Sequence, residues 1–140
     1  MATNTTPIFV GTVVSTGARI TSSIQTIRDN TSGSLTPIFI AGANGSRVDF
    51  ITFTNSGTGS MSSMVWRVFL SDTTGSNFRL LKETAITGIS TTVTTIGATA
   101  TMDFTPYGLN IAANVTMSAG QSVYAGFPDQ TDVIVRGGHY

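Results

Sequence analysis

The sequence predicts an all-β fold, an antiparallel jelly-roll β-sandwich of about eight strands. Three observations predict it. Apolar and polar residues alternate with period two over several stretches, and no run keeps a helical period. The alternating runs recur at roughly ten-residue spacing between clusters of Gly, Asn, Asp, Ser and Pro. Thr and Val are abundant, and β-branched side chains pack well on a pleated surface.

Taken in order, residues 1–7 read as an N-terminal arm. The segment is rich in Thr and Asn, lacks alternation, and ends at Pro7, which disfavours helix in the residue before it. Residues 8–140 read as a single jelly-roll domain, long enough to bury a core. The first candidate strands cover 8–14 and 19–27. The next, 35–40, contains Pro37, which has no N–H for a ladder, so it belongs at a sheet edge or carries a bulge. Over 47–54, Val48, Phe50, Thr52 and Thr54 alternate with Arg47, Asp49, Ile51 and Phe53. The Val48/Phe50 set is the candidate core face there. Over 65–70, Trp66, Val68 and Leu70 are the core candidates, alternating with Val65, Arg67 and Phe69. Further candidate strands cover 77–83, 90–103, 114–117, 122–127 and 132–136. Asn44-Gly45 supplies the positive φ that a tight hairpin needs, and Ala119-Gly120 reads as a second turn.

Hydrophobic residues make up 40% of the 140 and mean hydropathy is +0.22, so the composition is not that of a disordered chain. Charged residues are only 10%, against about 25% in a typical soluble domain. Their place is taken by 25 Thr and 15 Ser, a hydroxyl-rich surface unusual for a free cytosolic enzyme. Net charge is zero, with no basic block, so phosphate-driven nucleic-acid binding is not expected. The uncharged stretch 84–102 is too polar for a spanning helix and no secretory signal opens the chain, so a soluble protein without membrane contact is expected.

Catalytic motifs are scarce. With no cysteine, disulfides, thiolate catalysis and sulfur-ligated zinc are excluded. The single histidine, His139, stands beside the C-terminus and is expected at the surface or tucked at an interface. No Gly-x-Ser-x-Gly elbow occurs, and the single lysine, Lys82, follows Leu81 rather than a phosphate-binding glycine. Asp129 and Asp132 are a possible acid pair for a small hydrolase, but their spacing suits a turn in which the side chains cap backbone amides. Asp72 before Thr73-Thr74-Gly75 reads the same way. Four Asn-x-Ser/Thr triplets, at Asn4, Asn30, Asn44 and Asn114, follow from Thr and Ser abundance. Trp66 and Phe50 could line a sugar platform; core packing is the plainer reading. Arg47 and Arg67 stand in candidate strands, where they could pair with Asp49 or Glu83. Six arginines against one lysine tilt at least one toward a partner contact, since interfaces enrich Arg.

Three stretches carry a resemblance: Asn4-Thr5-Thr6-Pro7-Ile8-Phe9, Phe39-Ile40-Ala41-Gly42-Ala43-Asn44-Gly45-Ser46-Arg47-Val48, and Leu109-Asn110 through Ala119-Gly120-Gln121. Together they resemble the jelly-roll decoration, or cement, proteins of tailed-bacteriophage capsids, which accompany an HK97-like major capsid protein. The resemblance implies a non-enzymatic virion protein, made in the bacterial cytoplasm, that binds the outer capsid surface and reinforces joins between capsomers. It implies no cofactor and carries over no catalytic residue. The partners expected are the phage major capsid protein and a second copy of the chain, as a dimer or, alternatively, a trimer. The candidate contacts are Thr3, Asn4, Thr5, Thr6 and Pro7 of the arm with Arg47 and Arg67. The alternative reading is a carbohydrate-binding jelly-roll module of a phage tail or spike.

Overall fold

The computed structural model describes residues 11–21, 35–57, 60–61, 63–74, 77–87, 89–90, 98–123 and 130–140. Its strands in chain order are β1 (Thr12–Ile20), β2 (Thr36–Ile40), β3 (Ser46–Asn55), β4 (Ser60–Met61), β5 (Met64–Leu70) and β6 (Arg79–Ile86). They continue with β7 (Ile89–Ser90), β8 (Thr99–Asp103), β9 (Leu109–Ile111), β10 (Thr116–Val123) and β11 (Thr131–His139). One sheet has the order β1-β11-β3-β8, with β9 also pairing β3. A second has the order β2-β10-β5-β6, and β4 and β7 form a two-stranded ribbon.

The antiparallel pairs are nested. The first strand pairs with the last, β2 with β10, β3 with β8 and β5 with β6. A chain folded as one long hairpin and rolled into two facing sheets is a jelly roll. The core lies between the sheets, where Trp66 of β5 stacks on Phe53 of β3 at 5.1 Å and 17°. Around them lie Val48, Ile51, Met102, Val133 and Val135 from one sheet and Ile38, Met64, Val68 and Met117 from the other. Leu70 is partly buried against this cluster.

Several local features differ from the pattern expected of the sequence. Residues 15–18, left between the candidate strands 8–14 and 19–27, belong to β1, because Val14 and Ala18 pack on the core cluster that contains Ile20. Ala119-Gly120 is strand interior rather than a turn: Ala119 is buried, and Gly120 stands opposite Arg67. The Asn44-Gly45 turn exists, closed by Gly45 N–H donating to Gly42 O at 3.0 Å, but it carries the chain from one sheet to the other. Gly45 has φ +89° and a Cβ there would lie 2.9 Å from Ile111 O, so both conformation and space require glycine. Pro37 sits on the edge strand β2, whose register against β10 shifts beside it.

The most consequential difference is at Phe50. Arg136 faces Phe50 and Gly137 faces Val48, so Asp49 is an extra residue on β3, a β-bulge. The inward set therefore changes phase, from Val48 to Ile51 and Phe53. Phe50, expected in the core, is half-buried on the outer side.

Candidate functional site

The outer face of the first sheet is a candidate interaction surface, and its side chains fall in cross-strand rows. One row runs Arg19, Asp132, Thr54, Thr99 across β1, β11, β3 and β8. The next runs Gly17, Ile134, Thr52, Thr101, and the third Ser15, Arg136, Phe50, Asp103. The outward set follows from strand alternation, with Val14, Val133, Val135 and Met102 turned to the core.

The threonines pair across the strands. Thr52 Oγ1 lies 3.2 Å from Thr101 Oγ1, and Thr99 Oγ1 donates to Thr54 Oγ1 at 3.4 Å. Arg19 reaches Asp132 through Nε at 2.6 Å and Nη2 at 3.1 Å, a bidentate pair. The hydrogen bond from Arg19 holds the Asp132 carboxyl below the usual carboxylate range, and the same bond raises the guanidinium. At the opposite end, Asp103 accepts from Thr105 Oγ1 at 2.6 Å and Thr105 N–H at 2.7 Å, which lowers its pKa as well. The face is thus hydroxyl-rich and nearly apolar in the middle, with its charges at the ends.

Arg47 anchors the adjoining loop. Its Nε donates to Asp49 Oδ1 at 2.7 Å, its Nη2 to Pro106 O at 3.3 Å, and its stem lies where a Cβ on Gly108 would fall. Gly108 has φ +69° and follows a cis Thr105–Pro106 peptide. This loop leaves Tyr107 exposed. The guanidinium expected at a partner contact is therefore largely engaged within the chain.

Arg67, the second arginine expected at a contact, is buried, with Nε donating to Glu83 Oε2 at 3.2 Å. It lies on the other sheet, so the structure does not bring the two arginines together. The contacts expected at Thr3, Asn4, Thr5, Thr6 and Pro7 lie outside the described residues, as does Asp129.

Trp66 is fully buried against Phe53 and offers no sugar platform. Asp72 accepts from Thr74 N–H at 3.0 Å, Thr74 Oγ1 at 2.6 Å and Asn77 Nδ2 at 2.5 Å, bracing the turn beneath a shallow groove lined by Leu70, Arg79, Leu80 and Leu81. His139, expected at the surface or an interface, is half-buried. Its Nδ1 lies 2.6 Å from Ser46 Oγ and 3.2 Å from Gly42 N, and its ring is 5.5 Å from that of Phe39. The sequence carried no signal for that pairing, since Ser46 and His139 stand 93 positions apart. Ser46 has no solvent exposure, so its hydroxyl is not presented to a substrate. Among the described residues, no group of three His, Asp or Glu could hold a metal ion.

No protein-family model matches this chain, and no curated protein does. Among solved structures, a chain from "Structure of infectious bursal disease virus Gt strain" is similar at 17% sequence identity with a TM-score of 0.36. The likeness covers 89% of this chain and 30% of that one, so the present chain spans less than a third of the length of the chain it matches.

Proposed function

We propose that the chain is a non-enzymatic structural protein of a virion, a decoration protein on the outer surface of a tailed-phage capsid that cements joins between major capsid protein capsomers. The observation that carries the reading is the outer face of the β1-β11-β3-β8 sheet. It is a broad, hydroxyl-rich surface on which Arg19, Asp132 and Asp103 have partners within the chain and Arg136 is exposed. Such a face suits contact with another protein over a wide area rather than capture of a small charged substrate. The resemblance in the 4–9, 39–48 and 109–121 stretches points the same way. Contacts of this kind are individually weak but repeat many times on a lattice, where each raises the effective concentration of the next.

Residues 1–7 are the proposed arm that adds contacts to the capsid. The deciding experiment is mass spectrometry of purified virions of the phage that encodes the chain. Copies near stoichiometric with the major capsid protein support the reading; absence from virions overturns it. Deleting residues 2–6 leaves thermal melting of the free protein unchanged and weakens decoration of capsids. Undiminished decoration by the truncated protein overturns the role of the arm.

A further inference from the structure

Asn44 is the one asparagine of the sequence followed by glycine. It occupies the third position of the turn from Gly42 to Gly45, is exposed, and among the described residues its side-chain amide has no hydrogen-bond partner. Gly45 carries no side chain to shield its nitrogen from the Asn44 amide carbon. That nitrogen is nevertheless restrained. Gly45 is buried, and its N–H donates to Gly42 O at 3.0 Å. Gly42 is itself held from the other side, its N–H reaching Ser46 Oγ at 2.9 Å and His139 Nδ1 at 3.2 Å. Gly42 O also accepts from Asn114 N–H at 3.4 Å, and Gly45 O accepts from Tyr140 N–H at 3.2 Å. A reactive pair of residues thus sits in a turn that the Ser46–His139 contact clamps shut.

We propose that Asn44 is a self-modification site, a deamidating asparagine whose rate is set by the clamp on Gly42. The reaction needs only water. Gly45 N gives up its proton and bonds to Asn44 Cγ; the bond from Cγ to the side-chain nitrogen breaks, and ammonia leaves with that proton. One water then opens the cyclic succinimide at either carbonyl, leaving aspartate or isoaspartate. An N–H held by Gly42 O is free neither to lose its proton nor to turn toward Cγ. Attack therefore proceeds from a locally opened turn, and the hydrogen bonds around Gly42 set how often it opens. Isoaspartate adds one backbone carbon to the turn and a negative charge to a chain of zero net charge. The lengthened turn no longer fits the closure between Gly42 and Gly45, where the chain passes from one sheet to the other. The inference goes beyond the virion reading and does not rest on it, because it is tested on the free protein.

The purified full chain is incubated in mildly alkaline buffer beside a synthetic peptide of residues 40–48, and isoaspartate is located by peptide mapping with mass spectrometry. Asn44 is expected to convert ahead of Asn55, Asn77, Asn110 and Asn114, at a rate about tenfold or more below that of the peptide. His139→Ala is expected to raise the rate several-fold in the folded chain. Ser46→Ala, which leaves Nδ1 to hold Gly42 N–H, raises it by a smaller factor. Circular dichroism shows whether each variant is folded; if His139→Ala is not, Ser46→Ala and the wild type carry the test against the peptide. A folded wild type that converts as fast as the peptide overturns the clamp, and so does a rate that the folded variants leave unchanged. Conversion that starts at another of these asparagines, or none at Asn44 while the peptide converts, overturns the site.

Discussion

Ser46 and His139 fasten the end of the last strand to the start of β3. Gly42 N–H, which can only donate, points at both Ser46 Oγ (2.9 Å) and His139 Nδ1 (3.2 Å), so Nδ1 acts as an acceptor and Ser46 donates to it across 2.6 Å. The ring also packs on Phe39 of the other sheet, so one side chain ties three strands. His139→Ala is expected to cost about 1–3 kcal/mol in denaturant unfolding, from the lost bond and the buried hydroxyl left behind. His139→Asn, whose amide oxygen can stand in for Nδ1, recovers part of that loss. Equal losses for both variants would show that ring packing alone matters.

Gly137 and Gly17 lie in neighbouring strands and answer oppositely to the same change. A Cβ on Gly137 would collide with Arg47 O and lie 2.9 Å from Val48 Cα, backbone atoms that move only with the sheet. Gly137→Ala is therefore expected to destabilise by about 1–3 kcal/mol through overpacking. Gly17 has room, and Gly17→Ala is expected to be neutral or stabilising by up to about 1 kcal/mol, because alanine restricts the unfolded chain. Thermal unfolding of the two variants side by side gives the sign of each.

The two-sheet architecture was legible in the sequence because Trp66, Val68 and the Thr-rich alternation need only local periodicity to be read. The phase of β3 was not. Its bulge exists because β11 offers Gly137 opposite Val48, a relation between residues 89 positions apart that no local window contains. The candidate site was less legible for the same reason. Both Arg47 and Arg67 read as strand arginines, yet only register and sheet order set one against a loop carbonyl and bury the other beside Glu83.

That phase change makes a prediction of its own. Phe53→Ala removes a ring from the centre of the core and is expected to cost about 3–5 kcal/mol. Phe50→Ala, on the half-buried outer side, is expected to cost less than about 2 kcal/mol. Equilibrium unfolding in urea distinguishes them, and a reversed order would place the bulge elsewhere.

Asp132 and Asp103 each contribute to the acid limb of stability. Hydrogen bonds hold both carboxyls below their usual range, from Arg19 in the first case and from the Thr105 hydroxyl and N–H in the second. A carboxyl with a lower pKa folded than unfolded stabilises fully above its unfolded value. That stabilisation is lost as pH falls through the folded one, here below about pH 4. Asp132→Asn and Asp103→Asn should each flatten the drop in melting temperature across that window. Both groups are substantially exposed, so the effects at neutral pH are small. Salt separates them: at about 0.5 M the Asp132 effect should shrink, because its partner is an exposed charge. The Asp103 effect should persist, because its principal partners, the Thr105 hydroxyl and N–H, are neutral. A salt response equal in the two variants would mean that charge, rather than the Thr105 hydrogen bonds, sets the Asp103 shift.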